Sequence, residues 1–396
     1  MSHWDFLSPE GKSAREVAIK EIEGKFRDLT GIEVNYQILP WQEMGTKLIA
    51  AVQAGNPPDG SRVNLFHLKM ILLGDGLQEL DPYLNQSFSD DDKKDFLVDF
   101  SPAMVVKGKK WSMQIEAIPK ALFIRKDWLT QAGMQAPKTW DEFVEVGKKM
   151  TSRGRWGYMY GASKTQLNQL ETMFQPQIQG RNGRILDDND RAVFNDDIGV
   201  KAYQFLADCV LKHKITPPQV IGMTYDDVTD AFKAGRVGMI QEGAHRYQDI
   251  LKAVGPDNLM IAKVPSDDPN KPSPTIVTGW GMGIPRGSKH PDAAWEHLKY
   301  YIGADAQEIN ARVAGTLPSR KSVLERPYFQ TPEAAHLRWW VDYMAERSET
   351  VINVSTFAQL NETMVDVLHR VLVDASSQLK PLLDEAAKKY NQIAGL

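Results

Sequence analysis

Strand and helix signals alternate through the first 65 residues, and that rhythm limits the fold more than any other feature of the chain. His3–Leu7 reads as a strand, followed by the loop Ser8–Gly11. Ala14, Ala18, Ile22, Phe26 and Leu29 recur at helical spacing, and Thr30-Gly31 stops that helix. Ile32, Val34, Tyr36 and Ile38 alternate with polar residues, the pattern of a half-buried strand. Pro40-Trp41 leads into a second helix with Leu48, Ala51 and Val52 inward and Gly55 at its end, and Val63–Leu65 is a third strand. A βαβα order builds a doubly wound sheet with helices on its faces. In such sheets a ligand binds beyond the carboxyl ends of the strands. The loops expected there carry Ser8, Pro40-Trp41 and Asn64 to His67.

The middle of the chain continues in mixed α/β style. Gly108–Lys110 is a turn, and extended segments follow at Trp111–Glu116 and Pro119–Ile124. Thr139 and Glu142 form a capping box, as do Thr224 and Asp227. Asn195 is expected to cap the helix carrying Val200, Tyr203, Leu206 and Val210. A helix runs to about Gln179 and contains Gln175. Val237–Ile240 is a short strand, with Glu242-Gly243-Ala244-His245 as the turn after it. Leu379, Leu382, Leu383, Ala386, Tyr390 and Ile393 make one stripe of a terminal helix. There is no internal repeat and no low-complexity segment.

One stretch stands out, Thr275–Tyr301. Gly279, Gly281 and Gly283 flank Trp280 and Met282 on a β-branched strand. Ile284-Pro285 ends it, Gly287-Ser288 turns, and Pro291 opens a helix carrying Ala294, His297, Leu298 and Tyr301. An indole between glycines on a stiff strand suits a stacking platform; a packed core Trp is the alternative.

This pattern of glycine, Trp, glycine, Ile-Pro, Gly-Ser-Lys and Pro-x-x-Ala-Trp-x-x-Leu resembles the family 1 extracellular solute-binding proteins, the sugar receptors of ABC importers. Ala-Gly-Asn-Pro-Pro-Asp at 54–59, Gly-Leu-Gln-Glu-Leu-Asp at 76–81 and Leu-Pro-Ser-Arg at 317–320 resemble further signals of that family in the same order. At 125–127, Arg-Lys-Asp stands where the family has Asn-Lys-Asp. The resemblance implies a two-lobed periplasmic-binding-protein fold of type II character, each lobe a sheet flanked by helices, with a ligand cleft at the hinge. It implies an N-terminal lobe of 1–115 and 275–316, and a C-terminal lobe of 116–274 and 317–396. Crossings are expected near 114–118, 266–276 and 315–320.

Composition narrows the class. A chain of 396 residues holds two cores. The net charge of −4 argues against a nucleic-acid binder. No apolar run is long enough to span a bilayer. Cys209 is the one cysteine and sits in a helical pattern, so buried packing is its expected role. No signal-peptide pattern precedes His3; a cytosolic enzyme or an exported protein without its leader would both begin so, and the resemblance favours the second.

Catalytic motifs are missing. There is no GxSxG elbow, no HExxH and no cysteine–histidine cluster; Gly161–Thr165 lacks P-loop spacing, and Gly279-x-Gly281-x-Gly283 is not GxGxxG. Asp187–Asp190 lacks the glycine of a calcium loop. A sugar needs flat aromatic surface for its C–H faces and short polar groups for its hydroxyl rim. The candidate ligand set is Ser8, Trp41, Asn64, His67, Glu116, Gln175, Glu242, Gly243, His245, Trp280 and Arg320. Lys120 reads as a surface charge and Trp339-Trp340 as packing. Where the family often carries a cleft Trp, Ala244-His245 stands, which points away from long maltodextrins.

The expected function is capture of a small carbohydrate or derivative and its delivery to the permease subunits of an ABC importer. No cofactor, metal or nucleic acid is expected. The chain is expected to act as a monomer, in the periplasm or at the extracellular face of a bacterial membrane, touching the membrane only through the permease or a lipid anchor. Two rivals stand beside this. An anionic sugar derivative or glycerophosphodiester would suit Arg320, His67 and His245. A glycoside-cleaving enzyme would use Glu116 and Glu242 as its carboxylate pair.

Overall fold

The computed structural model describes residues 1–96 and 105–396. The chain forms two compact units. Unit 1 comprises Met1–Pro119, Val277–Asp342 and Thr350–Ser355; unit 2 comprises Lys120–Ile276, Tyr343–Glu349 and Thr356–Leu396. The described strands are β1 (Ser2–Asp5), β2 (Asn35–Ile38), β3 (Gly60–Asn64), β4 (Val105–Val106), β5 (Lys109–Lys110), β6 (Met113–Arg125), β7 (Trp156–Met159), β8 (Val237–Gly243), β9 (Leu259–Ala262), β10 (Thr275–Gly283) and β11 (Ser348–Thr350).

In unit 1, β1 lies between β2 and β3, parallel to both. β10 inserts antiparallel between β3 and the first half of β6. The helix Ala14–Thr30 opens with a Ser13/Glu16 capping box, buries Ala18, Ile19, Ile22 and Phe26, and stops at Gly31, whose φ of 69° suits glycine. The alternating start of the chain therefore does give a βα sheet whose parallel strands end together. β4 and β5 form a separate hairpin.

In unit 2, β8 pairs antiparallel with the second half of β6 and parallel with β7, and β9 pairs antiparallel with β6. Helices Phe357–Val373 and Leu379–Ala394 pack on each other and on Asp197–Leu211. Cys209 is buried in the last of these.

Several local expectations need correction. Met113–Arg125 is one long strand, β6, which joins the two segments with Pro119 inside it. The cap of Asp197–Leu211 is Asp196, whose carboxylate accepts the Gly199 amide at 2.8 Å; Asn195 instead donates to Asp384. Glu242 and Gly243 end β8, and the turn begins at Ala244. Ile393 is exposed, in the last turn of an otherwise buried stripe.

The largest correction concerns the third crossing. It was expected at 315–320, but residues 317–342 stay with unit 1 and the chain leaves at Asp342/Tyr343. Side chains on this segment explain why. Arg320 Nε donates to Asp95 at 2.6 Å, Arg326 pairs with Asp305 and Glu308, and the Ser319 amide donates to Gln307 Oε1 at 2.6 Å. The two earlier crossings fall at Pro119/Lys120, just past the expected 114–118, and at Ile276/Val277, at the end of the expected 266–276; Thr350–Ser355 returns briefly to unit 1, which was not expected.

Candidate ligand site

Each unit carries its own polar constellation at the end of its sheet where β1, β3 and β8 finish. In unit 1, Asp5 ends β1, and its Oδ1 accepts the amides of Phe6 at 2.7 Å and Leu7 at 3.0 Å, which shapes the following turn. Its Oδ2 accepts Arg62 Nε at 2.9 Å. Arg62 also donates to Glu116 at 3.2 Å, and Arg15 donates to the same carboxylate oxygen. Burial opposes the charged form of Asp5, but Arg62 and His3 prevail and hold its carboxyl below the usual range. Burial likewise works against the charge on Arg62, yet Asp5 and Glu116 raise its pKa. This is a closed ion network with little net charge.

Phe6 lies over that network. Its ring centre is 5.2 Å from the Arg15 guanidinium and 5.5 Å from that of Arg62. The ring of Trp280 packs against it at 4.4 Å. Trp280 is registered opposite Asn64 of β3 and Glu116 of β6. Only 6% of Trp280 is exposed, and it belongs to an apolar cluster with Met113, Ile115 and Met282. Of the two readings of Trp280, its burial fits the packed one, and the half-buried Phe6 takes the outer position. Gly279 permits this packing, because a Cβ there would come within 2.2 Å of the Glu116 carbonyl oxygen.

The remaining unit 1 candidates have mixed fates. Trp41 is half-buried and meets Phe66 edge-on at 6.1 Å. Asn64 Oδ1 accepts the Phe66 amide at 3.2 Å, so it caps the short helix Leu65–His67. His67 is buried, and burial pushes its pKa down to about 4, which keeps it neutral. Ser8 Oγ accepts the Glu10 amide and shapes its own loop. Arg320 is committed to Asp95 and lies 4.9 Å from the Phe96 ring, both within unit 1.

In unit 2, Glu242 is buried at the end of β8. Its carboxylate accepts the Thr229 hydroxyl and, at 2.7 Å, the Gly243 amide. Burial raises its pKa to about 7 against the opposing charges of Arg246 and Lys120. His245 stacks on Tyr225 at 6.4 Å with an interplanar angle of 11°. Gln175 is fully buried and donates to Gln179 at 3.2 Å, one helical turn on. Lys120 is no surface charge: it is 1% exposed and meets Glu171 at 3.0 Å.

With this geometry in view, the sequence comparison is decisive: the family model for bacterial extracellular solute-binding proteins matches residues 7–308. The chain belongs to that family. It is a solute-binding protein of ABC transporters. A Sinorhizobium fredii relative, described as an amino-acid ABC transporter periplasmic-binding protein, is 24% identical over 324 residues, spanning 78% of this chain and 71% of the relative. The maltose-bound MalE3 of T. maritima has a TM-score of 0.86 at 21% identity, covering 99% of both chains. A Listeria monocytogenes ABC substrate-binding protein in complex with cycloalternan has a TM-score of 0.85 at 19% identity, covering 100% of this chain and 99% of that one. These likenesses show the fold. The family is extracellular, and no helix among the described residues is long and apolar enough to cross a membrane.

For this solute-binding protein the sequence missed Phe6, Arg15, Arg62, Lys120, Glu171 and Tyr225. Phe6 was visible as an aromatic near the end of the first strand, two residues before the predicted loop. The ion partners had no local signal, since Arg62 and Glu116 are 54 residues apart.

Proposed function

We propose that this solute-binding protein captures a carbohydrate, from a monosaccharide to a small oligosaccharide or a derivative, and hands it to the permease subunits of an ABC importer. It would act as a monomer, in the periplasm or at the extracellular face of a bacterial membrane, and without chemistry on its ligand. One observation carries this reading: the half-buried Phe6, backed by Trp280 and flanked by two guanidiniums that Asp5 and Glu116 hold in place. That arrangement sets an aromatic ring among hydrogen-bonding groups, the residue types that a sugar's C–H faces and hydroxyls require. The maltose and cycloalternan of the two structural neighbours support the same ligand class.

The rival readings lose support on the same residues. An anionic ligand needs uncompensated cations, but Arg320 pairs with Asp95, Arg62 with Asp5 and Glu116, and His67 is neutral. A glycosidase acid or nucleophile needs a free carboxyl, but Glu116 is gripped by Arg15 and Arg62. Calorimetric titration with a panel of mono- and oligosaccharides tests the proposal. A tight ligand also raises the melting temperature by mass action. If no sugar, polyol or derivative in the panel binds, the carbohydrate reading is wrong.

A further inference from the structure

At the end of the unit 2 sheet away from Gly243, β6 finishes at Arg125, while β7 and β8 begin at Trp156 and Val237. The length of β8 puts roughly 20 Å between this end and Gly243. A cavity of about 360 Å³ lies here, lined by Arg125, Trp128, Arg155 and Lys233 and by the chain at the ends of two helices, Tyr225–Lys233 and Tyr247–Val254. Three cations line it and no acid does.

The cations are held in place before any ligand arrives. Arg155 closes a tight turn: its amide donates to the Ser152 carbonyl at 3.0 Å, and the Ser152 amide donates back at 3.1 Å. The next amide, that of Trp156, donates to the Arg236 carbonyl at 3.0 Å and ties the turn to the start of β8. The Arg155 guanidinium lies 4.7 Å from the ring centre of the buried Trp128, and that of Arg125 lies 5.4 Å from the same ring. Arg125 gives Nε and Nη2 to Asp127 at 2.9 and 2.6 Å, and no described residue accepts from its Nη1. Gly235 leaves room for that nitrogen, because a Cβ there would stand 3.0 Å from it. Lys233 pairs with Asp230 at 2.8 Å, but Asp230 is 66% exposed, so water screens that pair. Arg155 has no acidic partner among the described residues.

Helix C-termini attract cations, which would explain this cluster if their carbonyls were open. They are closed. The amides of Ala234, Gly235 and Arg236 bond to the carbonyls of Asp230, Phe232 and Ala231. The Gly255 amide takes the Leu251 carbonyl, and Asn258 Nδ2 takes that of Val254. Two guanidiniums on one indole, with a single carboxylate between them, are therefore left short of negative charge.

We propose that this cavity binds a phosphate group, free, on a small ester or on a lipid headgroup. Arg155 and Arg125 supply planar donors that match phosphate oxygens, Lys233 supplies a point charge, and Trp128 is the floor on which the guanidiniums lie. A carboxylate has two oxygens, enough for one fork; a phosphate presents three or more to cations arriving from three elements. The site is separate from the carbohydrate reading and does not rest on it.

The test is calorimetry on the full chain at low ionic strength with inorganic phosphate and glycerol 3-phosphate, beside flotation with phosphatidylcholine vesicles that contain or lack phosphatidylglycerol. Binding is expected, weakened about tenfold by Arg155→Ala and by Lys233→Ala with unchanged circular dichroism, the scale of one lost charged hydrogen bond. Arg153→Ala, on the same turn but outside the cavity, should leave it unchanged. Sugar titrations should be the same in all three variants. Binding of the soluble phosphates, lost in Arg155→Ala, supports the site with a free ligand. Binding of the anionic vesicles alone, lost in the same variant, supports it with a headgroup as the source. If neither binds, or Arg153→Ala weakens binding as much as Arg155→Ala, the site is overturned and the carbohydrate reading is untouched.

Discussion

The ring centres of Phe6 and Trp280 lie 4.4 Å apart with an interplanar angle of 34°. The two rings divide the work. Trp280 is packed into unit 1, whereas Phe6 is half-buried at the turn after β1. Phe6→Ala should weaken sugar binding about tenfold, since an aromatic contact contributes about 0.5–1.5 kcal/mol beyond area. Trp280→Ala should instead destabilise the fold by about 3–5 kcal/mol. Titration calorimetry and urea unfolding separate the two effects.

Asp5 and Arg62 are both buried, so removing one leaves the other charged and unmatched. Asp5→Asn should destabilise by about 3–5 kcal/mol near neutral pH. The folded-state pKa of Asp5 is lowered, so its stabilisation is full above the unfolded value of about 4. It is lost as pH falls through the lowered folded value. Acid titration of the unfolding midpoint should be shallower in the variant.

His67 behaves in the opposite way to a paired histidine. Its folded pKa of about 4 lies below the ordinary histidine value of about 6.5, so between those values the unfolded chain binds more protons. Stability should therefore rise with pH across that window, by roughly 3 kcal/mol at most. His67→Gln should remove this slope. The check is urea unfolding at pH 4.5, 5.5 and 7.

Glu242 tilts the balance the other way. Its folded pKa of about 7 exceeds the ordinary glutamate value of about 4.5, so the folded state binds the extra proton in between. Stability should fall as pH rises from about 4.5 to 7, by roughly 3 kcal/mol at most. In ligand-free protein at pH 8, Glu242→Gln should then melt higher than the parent chain. The wild-type curve sums this trend with that of His67, so the single variants are needed to see either.

Arg320 is assigned here to the integrity of unit 1. Arg320→Ala should cost about 1–3 kcal/mol, the range for a hydrogen bond to a charged group. It should leave ligand affinity unchanged. Faster amide hydrogen exchange in Lys321–Leu324 would locate the loss; a tenfold drop in sugar affinity would return Arg320 to the binding site.

The sequence showed features whose physics is local. The Thr139 and Thr224 boxes formed as read, because a cap needs only three residues of context. The parallel start of unit 1 was legible because periodicity reports which face of an element is buried. The burial of Trp280 was not legible because it depends on β10 inserting between β3 and β6, both far earlier in the chain. Lys120 was misread for a similar reason, since Glu171 lies far along the chain and nothing near Lys120 announces it. Arg320 followed Leu-Pro-Ser as the family resemblance suggested, yet its partner Asp95 fixes that segment to unit 1.

The central place of β10 in the unit 1 sheet has a consequence for biosynthesis. A nascent chain that has not yet reached Thr275 holds β3 and β6 with open edges and no strand to join them. Until Thr275–Gly283 has left the ribosome, the sheet of unit 1 lacks the strand that ties β3 to β6, so its long-range pairing closes late in synthesis.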